Sequence, residues 1–90
     1  MKVVVYYSSV TGTLEMKKRQ QRIFFVLESK NIPFETVDVA VDDGKEEMRR
    51  KMQDPTAVPP QIFNGDTYCG DFDSFDNAVE MEQLEAFLKL

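Results

Sequence analysis

Histidine is absent from the 90 residues and cysteine occurs once, at Cys69. A single cysteine excludes an intramolecular disulfide and any all-cysteine metal cluster, and without histidine a structural zinc site has almost nothing to use, so no metal is expected. The same scarcity removes the commonest general base and the Cys–His and Ser–His nucleophile pairs. A basic surplus is also lacking. The formal net charge of −5 argues against a nucleic-acid binder, which must displace counterions from phosphate. Apolar runs such as Ile23 to Leu27 are far too short to cross a bilayer, and the first residues lack the layout of a secretory signal. A cytoplasmic protein without membrane insertion is therefore expected, with the nucleus as an additional location.

What remains is one domain, residues 1–90, with 42% apolar and 30% charged content and no repeat, linker or low-complexity segment. Residues 13–30 carry five basic and two acidic side chains, whereas residues 66–90 carry seven acidic and one basic. Two solvated helix faces explain that asymmetry; Lys17, Lys18, Arg19 and Arg22 as a face for an anion or an acidic partner is the alternative reading.

Lys2 to Tyr7 is β-branched and aromatic with almost no polar alternation, as in a strand buried on both faces. Ser8 to Thr13 offers small hydroxyl residues and Gly12, a strand-to-helix turn in which Thr11 or Thr13 can cap the next helix. From Leu14 to Lys30, Met16, Ile23, Phe24 and Leu27 recur at helical spacing, with Gln20 interrupting the stripe and Asn31 and Pro33 stopping it. Phe34 to Ala40 reads as a second strand, completing a β-α-β unit. Asp43 and Glu46 resemble a capping box for a helix over Gly44 to Met52, ended by Asp54-Pro55, with Met48 and Met52 inward. Val58-Pro59-Pro60 is a rigid turn into a short buried strand, Gln61-Ile62-Phe63. Asn64-Gly65 predicts a type I′ hairpin returning through Thr67-Tyr68-Cys69 to Gly70, which ends the ribbon. The Pro59–Pro60 bond is the candidate cis imide. Asp73 or Ser74 opens a short helix with Phe75, Ala78 and Val79 on one face, and Leu84, Phe87 and Leu88 form a final docking turn.

The order β-α-β-α-β-β-α, with a proline opening the third strand, resembles the thioredoxin-like fold of glutaredoxin type: α/β, a mixed four-stranded sheet flanked by helices. Pro60-Gln61-Ile62-Phe63 and Tyr68-Cys69-Gly70-Asp71 resemble the glutaredoxin cis-proline strand, hairpin and glycine turn. The likeness is to the SH3-domain-binding glutamic-acid-rich-like proteins. It is carried by Ser9-Val10-Thr11-Gly12, Lys18-Arg19-Gln20-Gln21, Pro59 to Asp66, Tyr68 to Asp71 and Phe87-Leu88-Lys89-Leu90. This resemblance implies a small glutaredoxin-like protein without the redox motif, an adaptor or a modulator of glutaredoxin activity. It also implies protein partners, SH3-domain proteins among them, although Ala57-Val58 stands where relatives carry Leu-Pro before the prolines.

In a glutaredoxin a cysteine at the start of the first helix is the nucleophile, its thiolate stabilised by the helix dipole. The corresponding residues are Ser8, Ser9, Val10, Thr11, Gly12 and Thr13, and no alcohol exchanges with disulfides. No catalytic residue and no cofactor are therefore expected, with a weak glutathione-dependent oxidoreductase as the rival reading. In the fold, the residue before the cis-proline pairs with an extended ligand through its N–H and C=O. Pro59 has no N–H, and an unpaired ligand carbonyl costs about 1 to 3 kcal/mol, so weak glutathione binding or none is expected. The candidate groove comprises Ser8 to Thr13, Pro59, Pro60, Gly70, Asp71 and Asp73, with Asp73 read as a helix cap ahead of a ligand contact. Pro59-Pro60-Gln61-Ile62-Phe63 also fits the P-P-x-x-F pattern read by EVH1 domains and forms the candidate SH3/EVH1 motif, provided that it is exposed. Cys69 is expected to be a small buried hydrophobe.

Overall fold

The strand predicted to be buried on both sides lies at the centre of the chain's only sheet among the described residues. A computed structural model describes residues 2–41 and 43–90. Its strands are β1 (Val3–Tyr7), β2 (Phe34–Asp38), β3 (Gln61–Asn64) and β4 (Thr67–Asp71). The helices are α1 (Leu14–Ser29), α2 (Gly44–Met52), α3 (Phe72–Glu80) and α4 (Leu84–Phe87). The strand order is β2-β1-β3-β4, with β1 parallel to β2 and antiparallel to β3, and β3 antiparallel to β4. This is the expected mixed α/β architecture.

The period-2 geometry of β1 divides its apolar residues between two layers. Val3 and Val5 join Ile23, Val26, Leu27, Ile62, Phe75, Leu84 and Leu88 beneath α1, α3 and α4. Tyr6 joins Val39, Met48, Ala57 and Phe63 beneath α2, with Val4, Val37 and Met52 packed alongside. Adjacent Ile62 and Phe63 point into opposite layers in the same way, both fully buried. Neither layer survives without β1 and β3.

Local geometry departs from expectation at four places. In the hairpin, Asn64 pairs with Thr67, leaving Gly65-Asp66 as the loop. Positive φ occurs at Gly65 (61°) and not at Asn64 or Asp66. A glycine with positive φ at the first central position is the type II′ pattern and not type I′. Gly70 does not end the ribbon, because β4 runs on to Asp71 after a bulge: Phe63 pairs with Tyr68 and Ile62 with Gly70, so Cys69 is the extra residue. Asp43 precedes α2 without a side-chain capping bond, so the capping box does not form. Asp71, not Asp73 or Ser74, caps α3, its carboxylate accepting the Ser74 N–H. The end of α2 agrees with expectation: its last residue is Met52, and Gln53 caps it ahead of Asp54-Pro55.

That last stop is part of a pattern. All four helices end on a non-glycine residue with left-handed backbone: Asn31 (φ 57°), Gln53 (55°), Glu82 (55°) and Lys89 (59°). The following amide bonds back five residues each time, Ile32 to Leu27, Asp54 to Arg49, Gln83 to Ala78 and Leu90 to Glu85. These are Schellman closures, which satisfy the last carbonyls of each helix. An L-residue in that conformation costs about 1 kcal/mol, a cost from which glycine is largely free. Glu82 is exposed and makes no ion pair among the described residues. The substitution Glu82→Gly is therefore expected to raise stability by roughly 0.5 to 1 kcal/mol, read as a rise of a few degrees in Tm; a fall in Tm would show that the closure is not strained.

Candidate functional site

Where β1 ends, its backbone leaves the sheet among buried groups and its polar atoms need partners. Gln20, the residue that interrupts the apolar stripe of α1, supplies both. The Ser8 N–H donates to Gln20 Oε1 at 2.9 Å, and Gln20 Nε2 donates to the Ser8 carbonyl at 3.0 Å. Gln20 is 4% exposed, so these bonds form without competition from water. The turn that follows is tied internally: Ser8 Oγ donates to the Val10 carbonyl at 2.6 Å and accepts the Val10 N–H at 3.2 Å. Asp38 Oδ1, at the end of β2, accepts the Ser9 N–H at 3.0 Å and the Ala40 N–H at 2.9 Å. The Ser9 hydroxyl, with these two amides, holds the Asp38 carboxyl below its ordinary pKa. Thr13 Oγ1 accepts the Met16 N–H at 3.1 Å and caps α1.

The opposite wall is braced from α2 and β4. Arg49 Nε donates to the Ala57 carbonyl at 3.0 Å, and Gln61 Nε2 donates to the Val58 carbonyl at 2.9 Å while its Oε1 accepts the Tyr68 hydroxyl at 2.7 Å. The Pro59–Pro60 bond is cis. Between these walls lies an open groove of about 410 Å³ lined by Ser8, Val10, Gly12, Met16, Val39, Ala40, Lys45, Arg49, Val58 and Pro59. Val10 is 75% exposed and Val58 56%. They form an apolar mouth beside two cations.

The groove thus unites part of the predicted set and redirects it. Ser8, Val10, Gly12 and Pro59 line it; Ser9 is turned to Asp38, Thr11 is half-buried outside the lining, Thr13 serves as a cap and Pro60 is buried. Gly70, Asp71 and Asp73 are not among the lining residues. Gly70 is buried, with Phe87 across the position a Cβ would take, Asp71 caps α3, and Asp73 stands exposed in its first turn. The groove extends towards α2 instead, through Lys45 and Arg49, and only the tertiary approach of α2 could reveal them. Gln20 did leave a trace in the sequence, as the polar residue out of phase with its stripe. Gly44 left none: a Cβ there would lie 2.6 Å from the Asp38 carbonyl, so the α2 entry packs directly on the end of β2.

The P-P-x-x-F segment is not presented. Pro60, Gln61, Ile62 and Phe63 are buried, and the Phe63 ring packs edge-on against Tyr6 (5.2 Å) and Tyr68 (5.3 Å). Cys69 packs at the edge of the α1 layer, is not among the groove's lining residues, and burial pushes its thiol pKa up despite Lys89 nearby. Among the described residues no group of three or more His, Cys, Asp or Glu side chains could hold a metal ion.

Comparison with known proteins adds to this geometry. The family model described as SH3-binding, glutamic acid-rich protein matches residues 1–90. The SH3 domain-binding glutamic acid-rich protein homolog of Drosophila melanogaster is 44% identical over 104 residues, covering 100% of this chain and 65% of the fly protein. The chain therefore spans about two thirds of that relative's length. Among solved structures, C. albicans actin interacting protein Aip5 superposes with a TM-score of 0.76 at 24% identity, over 97% of this chain and 87% of that one. A buckwheat glutaredoxin–glutathione complex gives 0.68 at 15% identity, over 97% and 76%. At such identities the likeness shows the fold, which is thioredoxin-like.

Two outcomes test the geometry of the turn. Gln20→Ala leaves the Ser8 peptide groups without their partners and is expected to cost about 1 to 3 kcal/mol, measured by urea unfolding; a loss below ~0.5 kcal/mol would mean that water replaces the amide. Because the folded pKa of Asp38 is depressed, its tether contributes fully above the ordinary aspartate range and is lost as pH falls through the folded value. The Ser9 and Ala40 amide resonances should accordingly share one titration midpoint below that range, which an Asp38→Asn variant abolishes.

Proposed function

The chain belongs to the SH3-binding, glutamic acid-rich protein family, and from that premise we propose that it is a non-catalytic thioredoxin-fold binding protein, a cytoplasmic adaptor or modulator of redox proteins that engages its partner at the groove beside Ser8 to Gly12 and Pro59. The observation that carries this reading is the state of the β1–α1 turn. Its polar groups are largely tied within the chain: the Ser8 hydroxyl to Val10, the Ser9 N–H to Asp38, and the Thr13 hydroxyl to the Met16 N–H. Reductase chemistry at such a turn needs a thiolate to attack a disulfide sulfur. The one sulfur that could supply it, Cys69, lies outside the groove lining and is held in its protonated form by burial. Glutathione gains little, since Pro59 offers no N–H to its backbone. Exposed Val10 and Val58, by contrast, suit a protein segment that brings an apolar side chain to the mouth.

The full chain and a Val10→Asp/Val58→Asp variant, both checked by circular dichroism, are compared by capture of partners from cytosol. Proteins retained by the first and lost by the second support the groove as the site; identical sets would remove it. A disulfide-reductase assay with glutathione completes the test, with no turnover expected above background. Turnover that disappears in Cys69→Ser would replace this reading with that of an oxidoreductase.

A further inference from the structure

The outward face of α1 carries two features that its packing against the sheet does not use. Leu14 and Phe25 are 66% and 70% exposed. They stand eleven positions apart in one helix, which at 1.5 Å and 100° per residue places them roughly 16 Å apart on nearly the same line. Between them on that line come Lys18 and Gln21, so the ridge follows the i, i+4, i+7, i+11 spacing of a helix-packing seam. Beside it, a cleft of about 410 Å³ between α1 and the start of α3 is lined by Leu14, Glu15, Lys18, Arg19, Arg22 and Phe72.

The charge of this face is opposite to that of the molecule. Lys17 and Lys18 make no ion pair among the described residues. Arg22 pairs with Asp76 at 2.7 Å, Arg19 pairs with Glu15 and lies over the Phe72 ring at 5.4 Å, and Glu28 stands beyond Phe25. The two pairs are exposed, and exposed pairs are weak enough to be exchanged for a better acidic partner. Lys18 thus stands on the line between Leu14 and Phe25, with Lys17 and Arg22 on either side of it, on a chain of net charge −5.

We propose that this ridge docks an acidic amphipathic helix of another protein, its two apolar residues eleven positions apart seated by Leu14 and Phe25 and its carboxylates meeting Lys17, Lys18 and Arg22. The inference is independent of the groove. A second copy of this chain is a poorer occupant, because two molecules of net charge −5 repel and a basic-to-acidic contact between copies would not close on itself. An anionic bilayer is also poorer: a flat surface over α1 would meet Glu15, Asp73 and Asp76 together with the cations, which a narrow helix avoids.

The test uses the 90-residue chain and a fluorescein-labelled, helix-forming synthetic peptide with leucines eleven residues apart and glutamates between them. Saturable binding by anisotropy at low salt is expected, weakened at least tenfold when the glutamates are replaced by glutamine and again by raised salt. Lys18→Glu and Phe25→Ser, both at exposed positions, should each weaken binding about tenfold while leaving Tm unchanged. No binding up to 1 mM peptide, or binding indifferent to the glutamine peptide or to both variants, would overturn the proposal. So would light scattering that shows a dimer lost in Phe25→Ser, or vesicles of anionic lipid that bind the chain while the peptide does not.

Discussion

Two hydrogen bonds between Gln20 and the Ser8 backbone are the constraint on which the rest of the site depends. A strand covered on both faces must leave its sheet through buried space, and each unpaired peptide group there costs a desolvation penalty of about 1 to 3 kcal/mol. A primary amide has one acceptor and one donor group side by side, which is what a peptide unit requires of a partner. A leucine at position 20 would complete the apolar stripe of α1 and leave both Ser8 groups orphaned. The helix gives up some hydrophobic burial there, and in return its distance and rotation relative to β1 are fixed. The turn from Ser8 to Thr13, suspended between those two elements, inherits that fixed geometry.

From this follows what the turn can do. Its helix N-terminus still carries the orphan N–H groups and positive dipole end that would stabilise an anion. Thr13 occupies one of those N–H groups from within the chain, as a neutral cap. The Asp38 carboxylate at the end of β2 meanwhile holds the Ser9 amide away from the groove. An arrangement that in a thiol enzyme holds a reactive sulfur is here largely satisfied internally, and Val10 is its exposed apolar side chain at the groove mouth. Cys69 is placed by the bulge in β4, in surroundings that raise its pKa and so oppose thiolate formation.

The sequence disclosed these elements wherever packing imposed a period. The unbroken Val3–Tyr7 run could only be a strand covered on both faces, and α2 was readable from Gly44 to Met52 because Met48 and Met52 share one face. Helix ends were harder to place. Asn31 is a residue that tolerates left-handed backbone, but Gln53, Glu82 and Lys89 carry no such preference, and their conformation is imposed by the Schellman bonds and by what the next element must reach. Likewise Asp71 and Asp73 are equal as caps in sequence, and only the continuation of β4 to Asp71 decides between them. The groove was half legible for the same reason. Ser8, Val10, Gly12 and Pro59 belong to local turns, whereas Lys45 and Arg49 enter from a helix brought near by the approach of Gly44 to the end of β2.

The family description draws attention to the prolines, and burial energetics decides how they can be read. Gln61 to Asn64 forms β3, a central strand hydrogen-bonded to β1 on one side and β4 on the other, and its two apolar side chains lie in different core layers. A peptide-binding domain that grips Ile62 or Phe63 would have to draw that strand from both neighbours and empty both layers. For so small a domain, such an opening costs nearly as much as global unfolding. At about 5 kcal/mol, the low end for folded domains, the open form is roughly one molecule in several thousand. The apparent affinity of any such ligand is reduced by that same fraction, so a micromolar motif would bind the folded chain only in the millimolar range. The groove and α1 ridge proposed above need no such opening, since Val10, Val58, Leu14 and Phe25 are already exposed in the folded chain.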